Sequence, residues 1–307
     1  MRIASLLPSA TEILFAVGAG PEVVGVTHEC DHPEAATILP ALTADAIEHD
    51  GRSSGAIDRH IRQAVHAGSS LYHLDEELLR RLAPDLIVTQ ELCEVCAVSY
   101  TQVEKAARRM PGVVPVLSLE PLTLEEICAT IRTVGRLTGH DVEAGAVAGE
   151  LLARINRVDD LPPIGPAPRV ACIEWTEPLM AGGHWVPEMV QRAGGRDCLG
   201  TAATPSRYVT WTELATAAPD VMVLMPCGYD LAQTLRIAGE VTSQPGFRGL
   251  PCASTGRVVA VDGSSYFNRP GPRIVDGLEI LAAVLRAEPG GPLPAGASWI
   301  NERNRLT

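Results

Sequence analysis

The chain has 307 residues, with 25 Lys and Arg against 37 Asp and Glu, for a formal charge of −12. That balance argues against a nucleic-acid binder, because phosphate binding needs clustered Lys and Arg and the chain has no basic run. No segment approaches the ~18–20 apolar residues of a membrane span, and the length suits two domains of ordinary size.

The opening MRIASLLPSATEILF has one Arg and a short apolar run broken by Pro8, Ser9 and Glu12, without a secretory cleavage pattern. As it stands, the sequence reads as cytoplasmic, with its eight cysteines reduced. If the start is truncated, the protein is periplasmic or extracellular. RIASLL reads as a buried strand, SATEILFAVGAG as a helix capped by Ser9 or Thr11, and EVVGVT as a second strand. The segment from Glu48 to Leu74 reads as an inserted loop and helix. DEELLRRLA and SYTQVEKAARRM carry helical patterns. PDLIVTQ and VVPVLSL are short β-branched runs bounded by Pro and Gly, which suits buried parallel strands. Residues 1–120 therefore form an α/β lobe.

Residues 121–161 differ. Apolar positions recur at helical spacing, interrupted by Gly135, Gly139, Gly145 and Gly149, which gives one long linking helix or two joined near Gly139-His140. LPPIGPAPR then breaks the pattern. Residues 162–307 resume the alternation: RVACIEW, PDVMVLMP and GRVVAVD as strands, VPEMVQRAGG and PRIVDGLEILAAVLRAE as helices, and the tail from Pro289 as a loosely held end. The expected fold is α/β, with two similar parallel-sheet lobes joined by a long linking helix. A weak repeat supports the similarity: LDEELLRRLAPDLIVT in the first half matches TWTELATAAPDVMVL in the second, each running from a Glu (Glu77, Glu213) through Pro-Asp to a strand.

Ligands of open parallel sheets bind outside the carboxyl ends of strands. In the first lobe those positions hold THECDHP, TQELCEVC and SLEP. In the second they hold EWTEP, GGHWVP, PCGYD and DGSSYFNRPGPR. Aromatic residues are only 4% of the chain, yet Trp175, Trp185, Trp211, Tyr208, Tyr229, Tyr266 and Phe267 fall in or near the second-lobe set. They either cap the core or line a cleft for a large flat or apolar ligand. The pair Cys93 and Cys96 has three readings. A redox dithiol is disfavoured because Glu91 and Glu94 flank Cys93 and raise a thiol pKa. A zinc-type metal site would need partners from HECDH, that is His28, Cys30, Asp31 and His32. The third reading is two small thiols supporting a pocket. Nucleophile-elbow, P-loop, H-E-x-x-H and dinucleotide motifs are absent, which shifts weight from enzyme toward binder.

RIASLLPSATEILFAVGAG, VVGVTHECDHP, LDEELLRRLAPDLIVTQ and NRPGPRIVDGLEILAAVL, in this order and over roughly residues 2–287, resemble the cobalamin-binding branch of the ABC-transporter substrate-binding proteins. That group also holds siderophore and haem binders. The resemblance implies a corrinoid, cobalamin or cobinamide, held in a cleft between the lobes and no catalysis. It implies contacts around Glu29, Tyr72, Gln90, Trp175 and Tyr208, and an ABC permease docked through Glu77 and Glu213. The first-lobe rim departs from the branch, where aromatic residues often stand at the positions of Glu29 and Gln90. A metal-binding protein on the same scaffold, built on HECDH and CEVC, is the competing reading. His28 or His32 as an axial ligand to cobalt is its sharpest form.

Overall fold

The computed structural model describes residues 1–45, 53–66, 71–90 and 99–300. The chain divides into two compact units. The first comprises Met1–Arg52, Arg59–Pro121 and Ile127–Glu150, and the second Ser53–Asp58, Leu122–Glu126 and Leu151–Thr307.

The elements run β1 (Ile3–Ser5), α1 (Pro8–Ala16), β2 (Val23–Gly25), β3 (Thr43–Asp45), α2 (Ser54–His66), β4 (Tyr72–Leu74), α3 (Glu76–Leu82), β5 (Leu86–Thr89), α4 (Tyr100–Arg108) and β6 (Val116–Ser118). They continue with α5 (Leu124–Thr138), α6 (Asp141–Asp159), β7 (Arg169–Thr176), β8 (Leu179–Ala181), α7 (Val186–Arg192), β9 (Arg196–Asp197), β10 (Arg207–Tyr208) and α8 (Trp211–Ala217). The chain closes with β11 (Val221–Leu224), α9 (Leu231–Thr242), α10 (Pro251–Thr255), β12 (Val258–Val261), α11 (Gly263–Tyr266), α12 (Ile274–Arg286) and β13 (Ala297–Trp299).

In the first unit the strands lie in the order β2-β1-β5-β6, and all pair in parallel. Their carboxyl ends therefore share one edge. A separate antiparallel pair, β3 with β4, sets Asp45 opposite Tyr72. Ala4, Leu6, Ile87, Leu79 and Val103 form the core under this sheet. The cap of α1 differs from expectation. Leu7 occupies the N-cap without a side-chain bond, and Pro8 opens the helix. Pro is preorganised for that position and lacks the N–H that would go unpaired there. Ser9 and Thr11 are inside the helix instead, and Thr11 Oγ1 donates to Ser5 Oγ at 2.8 Å.

The helical stretch after β6 is two helices. Gly139, at φ +77°, ends α5 in the left-handed region that favours glycine. His140 N–H bonds Gly135 O at 2.7 Å, and its Nε2 lies 2.9 Å from Glu22 Oε1. A Cβ on Gly135 would sit 2.2 Å from the Ala144 Cβ, so the turn into α6 closes only on glycine.

The second sheet has the order β10-β8-β7-β11-β12-β13, with β9 beside β7. Its heart, β9, β7, β11 and β12, is parallel, and β8, β10 and β13 join antiparallel at its edges. Ile173, Met222, Leu224, Ala260, Leu214 and Phe247 pack into its core. The expectation of a loose tail is corrected as far as residue 300. Ala297–Trp299 pairs with β12, the Trp299 indole donates to Gly291 O at 2.8 Å, and Ile300 is buried in the core.

The repeat extends further than its letters. Arg2 and Arg169, which stand at the starts of β1 and β7, each bond the Asp of a Pro-Asp pair through their backbone N–H and C=O. Arg2 N–H donates to Asp85 Oδ2 at 2.8 Å and Asp85 N–H to Arg2 O at 2.7 Å. Arg169 N–H donates to Asp220 Oδ2 at 2.8 Å and Asp220 N–H to Arg169 O at 2.8 Å. Both preceding helices end on a left-handed Ala, Ala83 and Ala218. The two glutamates, however, are not equivalent. Glu77 is the second residue of α3 and Glu213 the third of α8, so Glu213 matches Leu78. No helix among the described residues is long and apolar enough to cross a membrane.

Candidate functional site

In the first unit the loop after β2 places Thr27, His28, Glu29 and Cys30 at the carboxyl edge of the sheet. His28 is the best-anchored polar residue of the group. Its Nδ1 lies 2.7 Å from Thr43 Oγ1 and its Nε2 3.0 Å from Asp45 Oδ1. The His28 and Tyr72 rings pack tilted at a 5.7 Å centroid distance. Tyr72 therefore stands beside His28, while Gln90, at the end of β5, is buried. The Cys30 thiol points inward: it is buried and lies 3.1 Å from Thr11 Oγ1 and 3.4 Å from Thr27 Oγ1. His32 is exposed. Among the described residues, the group of three whose ligating atoms lie within 4.8 Å of one another is His28, Glu29 and Asp45, without Cys30 or His32. Cys93 and Cys96 lie outside the described residues.

In the second unit the candidate site gathers at the carboxyl ends of β7 and β11. Trp175 is 9% exposed and meets Tyr229 edge-on at 5.7 Å, the T-shaped arrangement that the ring quadrupoles favour. Its indole N–H donates to Ser54 O at 3.2 Å. The Thr176 hydroxyl donates to Glu240 Oε2 at 2.5 Å and lies 2.8 Å from Ser54 Oγ. Ser54 N–H donates to Glu240 Oε1 at 3.2 Å, and Tyr208 OH to Asp58 Oδ1 at 2.9 Å. The polar tips of Trp175 and Tyr208 thus hold the first turn of α2, while the Tyr208 side chain is 48% exposed. Burial raises the Tyr229 phenol above its ordinary pKa, and Glu240 adds to the shift.

The other aromatic candidates divide differently. Phe267 is 1% exposed and belongs to the core. Trp185 is buried at the start of α7, and its indole donates to Phe267 O at 2.8 Å. Burial lowers the pKa of the adjacent His184. Tyr266 is half-buried, with its carbonyl against Gly277. Ser54, Asp58 and Glu240 were not singled out in the sequence, since Ser54 and Asp58 stand more than a hundred residues before the strand ends they bond. Asp45 gave no signal either, because its meeting with His28 depends on β3. Of the proposed docking carboxylates, Glu77 is 71% exposed with Arg81 at 3.8 Å, and Glu213 closes a capping box with Thr210 and pairs with Arg207 at 2.9 Å.

A model of the periplasmic binding protein family matches residues 3–264. The chain belongs to that family. It is 25% identical over 287 residues to the cobalamin-binding protein of Halobacterium salinarum, covering 92% of this chain and 68% of the relative. The apo structure of a periplasmic haem-binding protein from Roseiflexus sp. RS-1 superimposes with a TM-score of 0.70 at 22% identity, over 93% of this chain and 97% of that one. The periplasmic vitamin B12-binding protein of Vibrio cholerae gives a TM-score of 0.66 at 21% identity, over 93% and 96%. At such identities the structural likeness speaks to the fold, an α/β arrangement with parallel sheets, as the sequence pattern implied.

Proposed function

We propose that this periplasmic binding protein is a non-catalytic carrier whose ligand is a corrinoid, cobalamin or cobinamide, which it delivers to an ABC permease. The relation to a protein named for cobalamin binding, over 92% of this chain and 68% of that one, carries this reading. The strand-end aromatics of the second unit support it. Tyr208, 48% exposed, offers ring surface of the kind that grips a large flat ligand, and Trp175 and Tyr229 pack edge-on against each other at the strand ends. In the first unit Glu29, Tyr72 and Gln90 are the proposed contacts. Haem is the second reading, favoured by the likeness to the Roseiflexus haem-binding structure.

Calorimetric titration of the intact chain with cobalamin, cobinamide and haemin decides between them. The expected result is saturable corrinoid binding in the micromolar range or tighter. Replacing Trp175 and Tyr208 together by Ala removes two proposed ring contacts, each worth about 0.5–1.5 kcal/mol beyond area burial, so affinity should fall about 5- to 150-fold, with circular dichroism checking the fold because both side chains also bond α2. Tyr208→Phe, which loses only the bond to Asp58, should cost less. Absence of corrinoid binding at high micromolar concentration rejects the first reading, and saturable haemin binding in its place establishes the second.

A further inference from the structure

His28 is fixed from two sides by β3. Thr43 and Asp45 are two residues apart on that strand, so their side chains share one face. Thr43 Oγ1 takes the His28 backbone N–H at 3.2 Å and stands 2.7 Å from Nδ1. The other ring nitrogen, Nε2, faces two carboxylates, Asp45 Oδ1 at 3.0 Å and Glu29 Oε1 at 3.9 Å. One ligating atom from each of the three residues falls within 4.8 Å of the others. This is how a metal-binding histidine is usually prepared: one nitrogen held by an outer partner, which fixes the ring and its tautomer, and the other turned to the ion. Tyr72 packs on the ring and fixes its plane further. A plain hydrogen bond from Nε2 to Asp45 explains one contact. The convergence of a second carboxylate on the same nitrogen is what a cation would exploit, and a divalent ion would neutralise both acids.

We propose that His28 Nε2, Glu29 and Asp45 bind a first-row divalent cation, with water completing the coordination. Three protein ligands and open positions suit zinc(II) and its neighbours, and imidazole with carboxylates is a borderline donor set rather than a thiolate one. The site shares Glu29 with the proposed corrinoid contacts but rests on its own geometry, the meeting of His28, Glu29 and Asp45. It differs from the site the sequence implied, because Cys30 and His32 do not contribute and Asp45 does.

The test uses the full chain stripped of metal with a chelator. Zinc(II) is titrated calorimetrically, and cobalt(II) is followed by visible absorption. The expected result is one ion per chain, with weak ligand-field bands and no intense sulfur-to-cobalt charge transfer. Glu29→Gln and Asp45→Asn should each weaken binding about tenfold or more, a conservative expectation since even outer partners of metal ligands are worth 10–100-fold. His28→Ala should abolish it. Circular dichroism checks the fold of each variant, and because Glu29 and Asp45 are largely at the surface, those two decide the question if His28→Ala unfolds. No binding at millimolar metal, affinity unchanged by Glu29→Gln and Asp45→Asn, or a thiolate charge-transfer band would each overturn the proposal. Cobalamin titrated into the native chain and Asp45→Asn, a residue outside the proposed corrinoid contacts, keeps this outcome separate from that of the corrinoid reading.

Discussion

The Glu213 carboxylate accepts from Thr210 N–H at 2.8 Å and from Thr210 Oγ1 at 2.9 Å, while Arg207 donates to its other oxygen. These bonds, the backbone one foremost and Arg207 next, hold its pKa down to about 2, against 4.5 for a free glutamate. A pKa lowered in the folded state means that the charged carboxylate stabilises the fold at pH above ~4.5. The contribution is lost as pH falls from there through the folded value near 2. The group is exposed, so water and salt screen it and the effect is modest. Urea unfolding of the native chain and of Glu213→Gln should show a stability difference that is constant above about pH 5 and closes toward pH 2. A difference that is flat across that range would mean that the bonds do not hold the carboxylate. The same residue shows what was legible in the sequence and what was not. Glu213 stood out because a helix-start Glu recurs before each Pro-Asp-strand unit. Its capping box and its pairing with Arg207 did not, since the latter depends on where β10 lies.

α12 shows how an element can be readable while its packing is not. Its apolar spacing predicted a helix, and the structure places it from Ile274 to Arg286 with Ile274, Val275, Leu278, Leu281 and Leu285 buried. The spacing does not explain Gly277, a poor helix residue. A Cβ there would lie 2.0 Å from the Tyr266 carbonyl oxygen, so the end of α11 rests on the bare backbone of α12. Gly277→Ala should gain helix propensity and still destabilise, because forcing the two segments apart costs on the order of 1–3 kcal/mol. A lowered Tm in thermal unfolding checks this, and a raised Tm would show that the contact relaxes without cost. The same distinction governs the rest of the fold. Parallel strands and amphipathic helices were legible because buried β-branched runs and 3.6-residue spacing are local signals. The break at Gly139 stood among the alternatives because glycine marks left-handed turns. β13 was missed because Ala297–Trp299 is short and its strand character comes from pairing with β12. The cap of α1 was misassigned because Ser9 and Thr11 have capping side chains, whereas Pro8 starts the helix through its fixed φ and missing N–H. In the candidate site, Trp175 and Tyr208 could be found from scarce aromatics at strand ends. Their bonds to Ser54 and Asp58 could not, because only the folded chain brings those residues together.

At the scale of the whole molecule, the net charge of −12 and one exposed carboxylate on a helix of each unit bear on the proposed permease partner. The two carboxylates start from different states. Among the described residues Glu77 pairs with Arg81 alone, at 3.8 Å, so a partner's guanidinium meets little competition there. Glu213 already serves α8 as a cap and pairs with Arg207, so an incoming Arg must share its oxygens or displace Arg207. If both dock on arginines of a permease, charge complementarity sets encounter rate and orientation more than ligand affinity. The substitutions should therefore be chosen to remove charge without removing structure. Gln at the third helix position still closes a capping box, so Glu213→Gln keeps α8 while deleting the negative charge, and Glu77→Ala is benign on an exposed face. The double variant should bind corrinoid as tightly as the native chain and lose docking to permease-containing vesicles at low salt. Native docking should weaken as salt rises and the Debye length shrinks toward about 8–10 Å. Each single variant should retain part of the docking, with Glu77→Ala the more damaging because Glu77 enters the contact without a competing role. Docking by the double variant equal to that of the native chain would remove both carboxylates from the partner surface, whatever the ligand proves to be.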